Sequence, residues 1–490
     1  MSTLGLSPAR SLADQVRNLG RMPFGLLLSF ALLSNFFTTS THNRQRVLEL
    51  GVLLAMTLAM LLAQPATAGR LFSSRAEKPL AVFFLFGLLG SVLAFSPGLA
   101  LAELSIFFLL YLLALFVAHE IAQGGSPVML RLVQLMAVIC ILHSLKFWVA
   151  YGASFVLHIP VDVGDFTMGF SNIRFFNHTQ TPILPLLLIL CCVTPAASRL
   201  RWLWWSLAAY WWMAIYATAG RGTLVGMVGG CIAVAVLRHR QATPYLKAAA
   251  LTAVLGLLGY LVFLVAIPIA AGGSAFGAFA SVIERTAADP ASNRLVLWSR
   301  ALQLILHHPL LGVGPMHFAH NAGDLHTGAH PHDWIMQIAS EWGIPAFLCL
   351  CATLALAARA LLRAGAGLAA DDKPNQAICS ALVAGSATIL IDGLVSGLFV
   401  MPQSQLAVVL FIGCTIGWCR AHPAPPAPAS QPDGRWRAGV ACLAVAAATC
   451  LVIVAGPDAG ARYRDEPLSP AKEALNTGVK WPRLWHAGFF

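Results

Sequence analysis

Charge is what this chain has least of. Asp, Glu, Lys and Arg make up 10% of its 490 residues, where a soluble globular domain carries about 25%. With 58% hydrophobic residues and a mean hydropathy of +0.74, that shortage excludes an ordinary water-soluble domain and indicates a polytopic membrane protein. Acidic residues are scarcer than basic ones, 20 against 31, for a formal net charge of +11. The basic residues cluster in short loops beside apolar runs, as membrane topology demands, so no nucleic-acid partner is expected.

Cysteine motifs are missing as well. The 11 cysteines fall almost entirely inside apolar runs and form no C-x-x-C pair, which excludes a disulfide framework and a zinc ribbon and leaves small apolar packing residues. No H-E-x-x-H and no standard zinc spacing occurs, so neither a metal nor a cofactor is expected. No small-x-small cleavage site follows the first apolar run, and the segment holding Arg10, Arg17 and Arg21 reads as uncleaved. No repeated halves are visible, which counts against a transporter.

What the chain does have is apolar runs. A membrane helix takes roughly 20 such residues. Runs of that kind fall at about 22–38, 47–64, 79–96, 99–118, 129–150, 181–198, 202–219, 222–237, 246–270, 333–358, 377–399, 404–419 and 438–456. The expected fold is all-α, a polytopic membrane helix bundle of about 12 transmembrane helices, 13 with the last run. The basic clusters around Arg70–Lys78, Arg199–Arg201, Arg238–Lys247, Arg359–Lys373 and Arg420–Arg437 place the N-terminus in the cytoplasm and the 271–332 loop outside. The division is then an N-terminal bundle (1–270), an external catalytic loop (271–332), C-terminal membrane helices (333–456) and a polar tail (457–490). The Pro/Ala-rich spacer at 421–434 reads as a linker, and the stretch RWLWWSLAAYWW as an interfacial aromatic belt.

Loops as long as 271–332 are usually functional. Within it, Leu295, Trp298, Leu302 and Ile305 recur at helical spacing, predicting an amphipathic helix over Arg294–His307 lying on the bilayer. Seven histidines follow, His307, His308, His317, His320, His326, His330 and His332, most of them expected to be solvated. His332 stands apart at the loop-to-helix junction, with Asp333 beside it as an N-cap; its imidazole suits a general base. Arg221, flanked by Gly220 and Gly222, presents an open guanidinium at a span edge. Arg294 and Arg174 offer two more on the same side, a set suited to a phosphate or diphosphate. His178, Glu341 and His330 complete the candidate substrate contacts. Asn177, Gln180, Asp392 and Lys146 are polar groups in or near spans, as readily packing partners as functional ones.

In order and spacing, TAGRG, NRLVLWSRALQLILHHPLLGVGP and AHPHDWIMQIASEWGIPA resemble the O-antigen ligase family, which shares its core with O-antigen polymerases and bacterial O-oligosaccharyltransferases. The likeness in motifs covers about 210–350; Asp333 stands where Asn is usual, Ala346 and Gly220 where Gly and Ser are usual, and Met336 where Leu is usual. The resemblance implies a GT-C-like membrane glycosyltransferase of the bacterial inner membrane. Its donor would be an undecaprenyl-diphosphate-linked glycan and its acceptor lipid A–core, with a second lipid-linked repeat or a periplasmic protein as alternative acceptors. It implies His332 as catalytic base and Arg221 and Arg294 as diphosphate ligands; Arg174 and His178 are added from position.

Overall fold

The structure, a computed structural model, describes residues 41–63, 75–159, 161–273, 275, 294–422, 434–464, 466 and 483–486. The apolar run at 22–38, Arg70, Arg285, most of the 421–434 spacer and most of the polar tail lie outside the described residues.

Among the described residues every regular element is helical. Before the long loop run α1 (His42–Ala63), α2 (Glu77–Leu93), α3 (Pro97–Leu157), α4 (Ile173–Val193), α5 (Leu200–Ala217), α6 (Arg221–Arg238) and α7 (Thr243–Gly259). The last of these continues through a π-helical stretch, Tyr260–Ala266, to Ala270. The loop contributes α8 (Arg294–His307) and the single turn α9 (Phe318–Asn321). After it come α10 (Trp334–Trp342), α11 (Ile344–Ala366), α12 (Lys373–Asp392), α13 (Pro402–Ala421) and α14 (Gly434–Arg464). Proline opens α3 and stands in the first turn of α11, α12 and α13, where its missing N–H costs nothing.

Among the described residues seven stretches are long and apolar enough to cross a membrane: α3, α4, α6 through α7, α11, α12, α13 and Ala438–Arg464 of α14. α3 is two arms joined at Gly125, whose φ of 65° is not helical, with Pro127 just beyond; the runs predicted at 99–118 and 129–150 are those arms. The most apolar window of α4 is 89% buried and that of α11 only 11%, so α4 is central and α11 peripheral. α13 packs along α3, α12 between α6 and α4, α11 against α2, and α14 against α3 and α1. The outer faces of α6 and α7 expose Val225, Ile232, Leu251 and Leu258, apolar surface of a kind that water would penalise and lipid accepts.

Two expectations need correction. The span at 333–358 is two helices, because Gly343 (φ 87°) breaks the backbone between α10 and α11. An uninterrupted apolar run hides such a turn. The tryptophan belt is in large part core: Trp204, Trp211 and Trp212 are buried, and Trp202 alone of its tryptophans stands well exposed. α8 spans the predicted residues; it buries Leu297, Ala301 and Leu304 against the protein, and Leu295 and Leu302 of the stripe expected on the bilayer face outward.

Candidate active site at one end of the bundle

The motif segment folds as a lobe seated on the helix ends. Its Pro-Leu-Leu-Gly-Val-Gly-Pro turn wraps around the C-terminal end of α10. Val313 N and Gly314 N donate to the carbonyls of Ser340 and Glu341 at 2.9 Å, and Ile344 N donates to Pro309 O at 2.8 Å. Glycine is required twice over here. Gly312 and Gly343 take φ of 64° and 87°, and a Cβ on either would lie within 2.5 Å of facing backbone. His317 locks the lobe to the α2–α3 corner, its Nε2 accepting from Ser96 N at 2.9 Å and its Nδ1 bonded to Pro315 O. His320 stacks on Phe95 with ring centroids 4.1 Å apart. These two, and the buried His330, correct the expectation of a mostly solvated histidine set.

α8 holds Arg294 and Trp298 one turn apart. The Trp298 indole donates to Pro331 O at 3.1 Å, which fixes the His330-Pro331-His332 turn beside α8. On its other side Trp334 N donates to Gly393 O and Trp334 Nε1 to Leu390 O, tying the segment to the end of α12. Asp333 caps α10, accepting from Ile335 N at 2.8 Å and Met336 N at 3.0 Å. His332 sits at φ 57°, a sparsely populated conformation for a residue with a side chain, of the kind that costs on the order of 1–3 kcal/mol and persists where the surroundings impose it.

Two clefts meet at this place. The first, about 120 Å³, is lined by Arg174, Asn177, His178, Thr218, Gly220, Arg221, Gly222, Arg294, Asp392 and Ser396. Arg174 and Arg221 are exposed and Arg294 half-buried, so three guanidiniums face a space lined by one carboxylate. That carboxylate is held back: Asp392 accepts from Thr181 Oγ1 at 2.5 Å, and Thr181 in turn bonds to Thr223. Gly222 lets α6 close on Asp392, since a Cβ there would lie 2.3 Å from its Oδ1. Asn177 donates to Thr218 Oγ1 at 2.7 Å and to Gln180 Oε1 at 2.9 Å, and Gln180 is turned away into the core toward Trp211 O.

The second cleft, about 90 Å³, is lined by Arg174, Phe175, His178, His330, His332, Met401 and His486, with Ser171, Asn172, Gly328 and Ala329 at its edges. Arg174 and His178 border both. His330 and His332 rings lie 4.0 Å apart, and His332 N donates to His330 Nδ1. Gly397 makes room for them; a Cβ there would meet His330 at 2.6 Å and His178 at 3.6 Å. The buried Nδ1 of His178 has no hydrogen-bond partner. Burial and then the charges of Arg294 and Arg174 push the His332 imidazole down to about 3 from an ordinary 6.5. Burial, with the neighbouring His332 second, pushes His330 down as well. Both rings are therefore neutral at neutral pH, with an imidazole lone pair on hand.

Six of the seven predicted contacts thus converge: Arg221 and Arg294 on the first cleft, His330 and His332 on the second, Arg174 and His178 on both. Glu341 lines neither. It is buried, accepts Phe318 N at 3.0 Å, and pairs with Arg483 at 2.6 Å. Its carboxyl is pushed up by burial and pulled back by that guanidinium. Sequence reading placed Trp298 only in the apolar stripe of α8 and gave no role to His486. The first carries a signal in its spacing from Arg294; the second lies in a polar tail with none. Among the described residues no cluster of His, Cys, Asp or Glu is arranged to hold a metal ion, and all eleven cysteines are free thiols.

Residues 205–351, which hold Arg221, Arg294, His330 and His332, match a family model described as O-antigen ligase. No curated protein matches the chain at a significant level.

Proposed function

We propose that this chain, whose residues 205–351 match a family model described as O-antigen ligase, transfers a glycan from undecaprenyl diphosphate to a sugar hydroxyl of lipid A–core. The observation that carries this reading is the junction of the two clefts at Arg174 and His178. One side gathers guanidiniums, the groups that grip a diphosphate bidentately. The other gathers neutral imidazoles, the groups that accept a hydroxyl proton. A sugar carbon lying between them would have its leaving group on one side and its nucleophile on the other, the arrangement of an in-line displacement.

In that displacement the acceptor oxygen attacks the anomeric carbon, its proton passes to His332, and the carbon–oxygen bond to the diphosphate breaks with its electron pair. Arg221, Arg294 and Arg174 neutralise the charge that grows on the departing diphosphate, an effect worth about 3 kcal/mol for a single well-placed donor. A single displacement inverts the anomeric centre. A diphosphate leaves without a general acid, and with guanidiniums on its oxygens no divalent ion is required. His178 contacts the sugar at the border of the clefts, and His330 supports the ring of His332.

Donor binding also tunes the base. The guanidinium charges that depress His332 are the ones a diphosphate would neutralise, so an occupied first cleft restores basicity to the second.

We read the topology by parity. Counting the arms of α3 separately, we take the described helices as eight crossings before the loop and four after it, and the run at 22–38 would make thirteen. α1 begins at the site end, where His42 and Arg46 touch Arg483. An even number of crossings returns α14 and the tail to that end. With the basic loops at the opposite end, this is a GT-C-like bundle in the inner membrane, N-terminus cytoplasmic, with site, loop and tail on the periplasmic face. The four-part division of bundle, catalytic loop, C-terminal helices and tail goes with it.

An O-antigen polymerase or a protein O-oligosaccharyltransferase would use the same displacement with another acceptor. A transporter is disfavoured because the polar clefts lie at one end rather than at a midplane. Reconstitution with a lipid-diphosphate glycan and three acceptors in parallel (lipid A–core, a second lipid-linked repeat, a periplasmic protein) decides among them. Transfer to lipid A–core is expected; transfer only to one of the others would reassign the acceptor, and none at all would remove the reading.

A further inference from the structure

The residues Arg483–His486 lie far outside the matched segment, yet they are built into the site. The Arg483 guanidinium is 1% exposed. It donates to Glu341 at 2.6 Å and to Glu103 at 2.7 Å. Its carbonyl takes hydrogen bonds from His42 Nε2 at 3.2 Å and Arg46 Nη2 at 3.3 Å. Arg46 is itself bound to Glu49, Gln405 and Val400 O. Leu484 and Trp485 are buried, and the Arg462 guanidinium lies 5.8 Å from the Trp485 ring centroid. His486 N donates to Asn43 Oδ1 at 2.7 Å, and His486 lines the second cleft together with His330 and His332.

A buried guanidinium spanning two carboxylates is held firmly, because moving it away would strand both buried carboxylates. Three residues on, the backbone therefore has one place to be. A segment anchored this way delivers a fourth imidazole, after His178, His330 and His332, to the cleft that the reaction reading assigns to the acceptor. Phe175 lines the same cleft and offers an aromatic side chain, the kind of surface against which the apolar face of a sugar ring packs.

We propose that His486 is an acceptor-binding residue, which hydrogen-bonds a sugar hydroxyl of the acceptor, and that Arg483 is the positioning residue that places it. This rests on the assignment of the second cleft to a hydroxyl-bearing acceptor. It puts part of the acceptor choice in a C-terminal segment that the family motifs do not include.

Two measurements on the full chain test it. In steady-state transfer, His486→Ala should raise KM for lipid A–core about tenfold while kcat and donor KM stay within about twofold, the pattern of lost ground-state binding. Arg483→Gln should reproduce the KM effect and in addition abolish hydrogen-exchange protection at the amides of 483–486. Equilibrium binding of lipid A–core without donor supplies a readout free of turnover, and His486→Ala should weaken it by a similar factor. Unchanged acceptor KM and unchanged binding, with the wild type active, would overturn the proposal and leave the reaction reading intact. A wild type that binds lipid A–core through His486 yet transfers nothing would remove the reaction reading and leave the proposal standing. Unprotected amides at 483–486 in the wild type would overturn the positioning role of Arg483.

Discussion

The indole Nε1 of Trp298 donates to the carbonyl of Pro331 at 3.1 Å, one turn of α8 beyond Arg294. A single helix thereby sets both a guanidinium of the first cleft and the backbone that carries His332. Under the proposed reaction, the Arg–x–x–x–Trp spacing is a ruler between leaving group and base.

Trp298→Phe keeps the ring and removes that hydrogen bond. The cost to stability should be about 1 kcal/mol, the net worth of one such bond. Catalysis should suffer more, with kcat falling on the order of tenfold or beyond, because small displacements of a base are expensive. Thermal melting and steady-state kinetics on the same preparation separate the two effects.

Gly343→Ala should be among the most damaging small substitutions in the chain. Gly343 sits at φ 87°, and an added Cβ would lie 2.2 Å from Leu310 O. Gly51→Ala is the control: Gly51 lies in a helix with nothing within 4 Å of such a Cβ. Gly343→Ala should cost about 3 kcal/mol or more by combining strain and clash, whereas Gly51→Ala should be neutral or stabilising by a few tenths. Detergent-solubilised melting temperatures check both.

The histidine pair makes stability depend on acid. His332 is held at about 3 and His330 is lowered too, against an ordinary 6.5. The unfolded chain then binds more protons than the folded one below 6.5. The contribution of these residues is complete above that pH and is lost as pH falls toward 3. His332→Asn should flatten the stability profile in that window. In kinetics, kcat/KM should hold down to about pH 5 because the free enzyme keeps His332 neutral, while the acid limb of kcat should sit higher because bound diphosphate relieves the Arg174 and Arg294 charges. Titration of initial rates at low and saturating donor reads the difference.

Glu341→Gln should destabilise rather than merely slow the protein. Arg483 would keep Glu103 as its counter-ion, so the loss is that of a charge-assisted buried hydrogen bond, about 1.5–3 kcal/mol, rather than of an unpaired charge. A Glu341→Gln variant with wild-type melting and a selectively raised donor KM would contradict the placement of Glu341 outside both clefts.

How legible was this in the sequence? Arg221 between two glycines, Arg294 four residues before Trp298, and His332 before a capping Asp333 were all readable, because each rule is local. An all-helical apolar chain was readable because apolar length decides it. What failed did so for want of local signal. The break at Gly343 lies inside continuous apolar sequence, and only the turn folded back over it shows why glycine is needed. The stripe that α8 buries against the protein, Leu297, Ala301 and Leu304, had no signal of its own because both faces of that helix are apolar. The partner of Glu341 lies 142 residues away, in a tail whose composition resembles any polar terminus. His317 looked like a loop residue until Ser96 came to meet it from a corner more than two hundred positions earlier.

The central claim is that His332 takes the proton from an acceptor hydroxyl while the arginines of the adjoining cleft hold the leaving diphosphate. Single-turnover transfer in proteoliposomes, with donor preloaded and lipid A–core added, measures that step directly. His332→Ala should reduce the transfer rate by about 100-fold or more with donor binding unchanged, and Arg294→Gln should weaken donor binding. Transfer by His332→Ala at the wild-type rate would contradict the account.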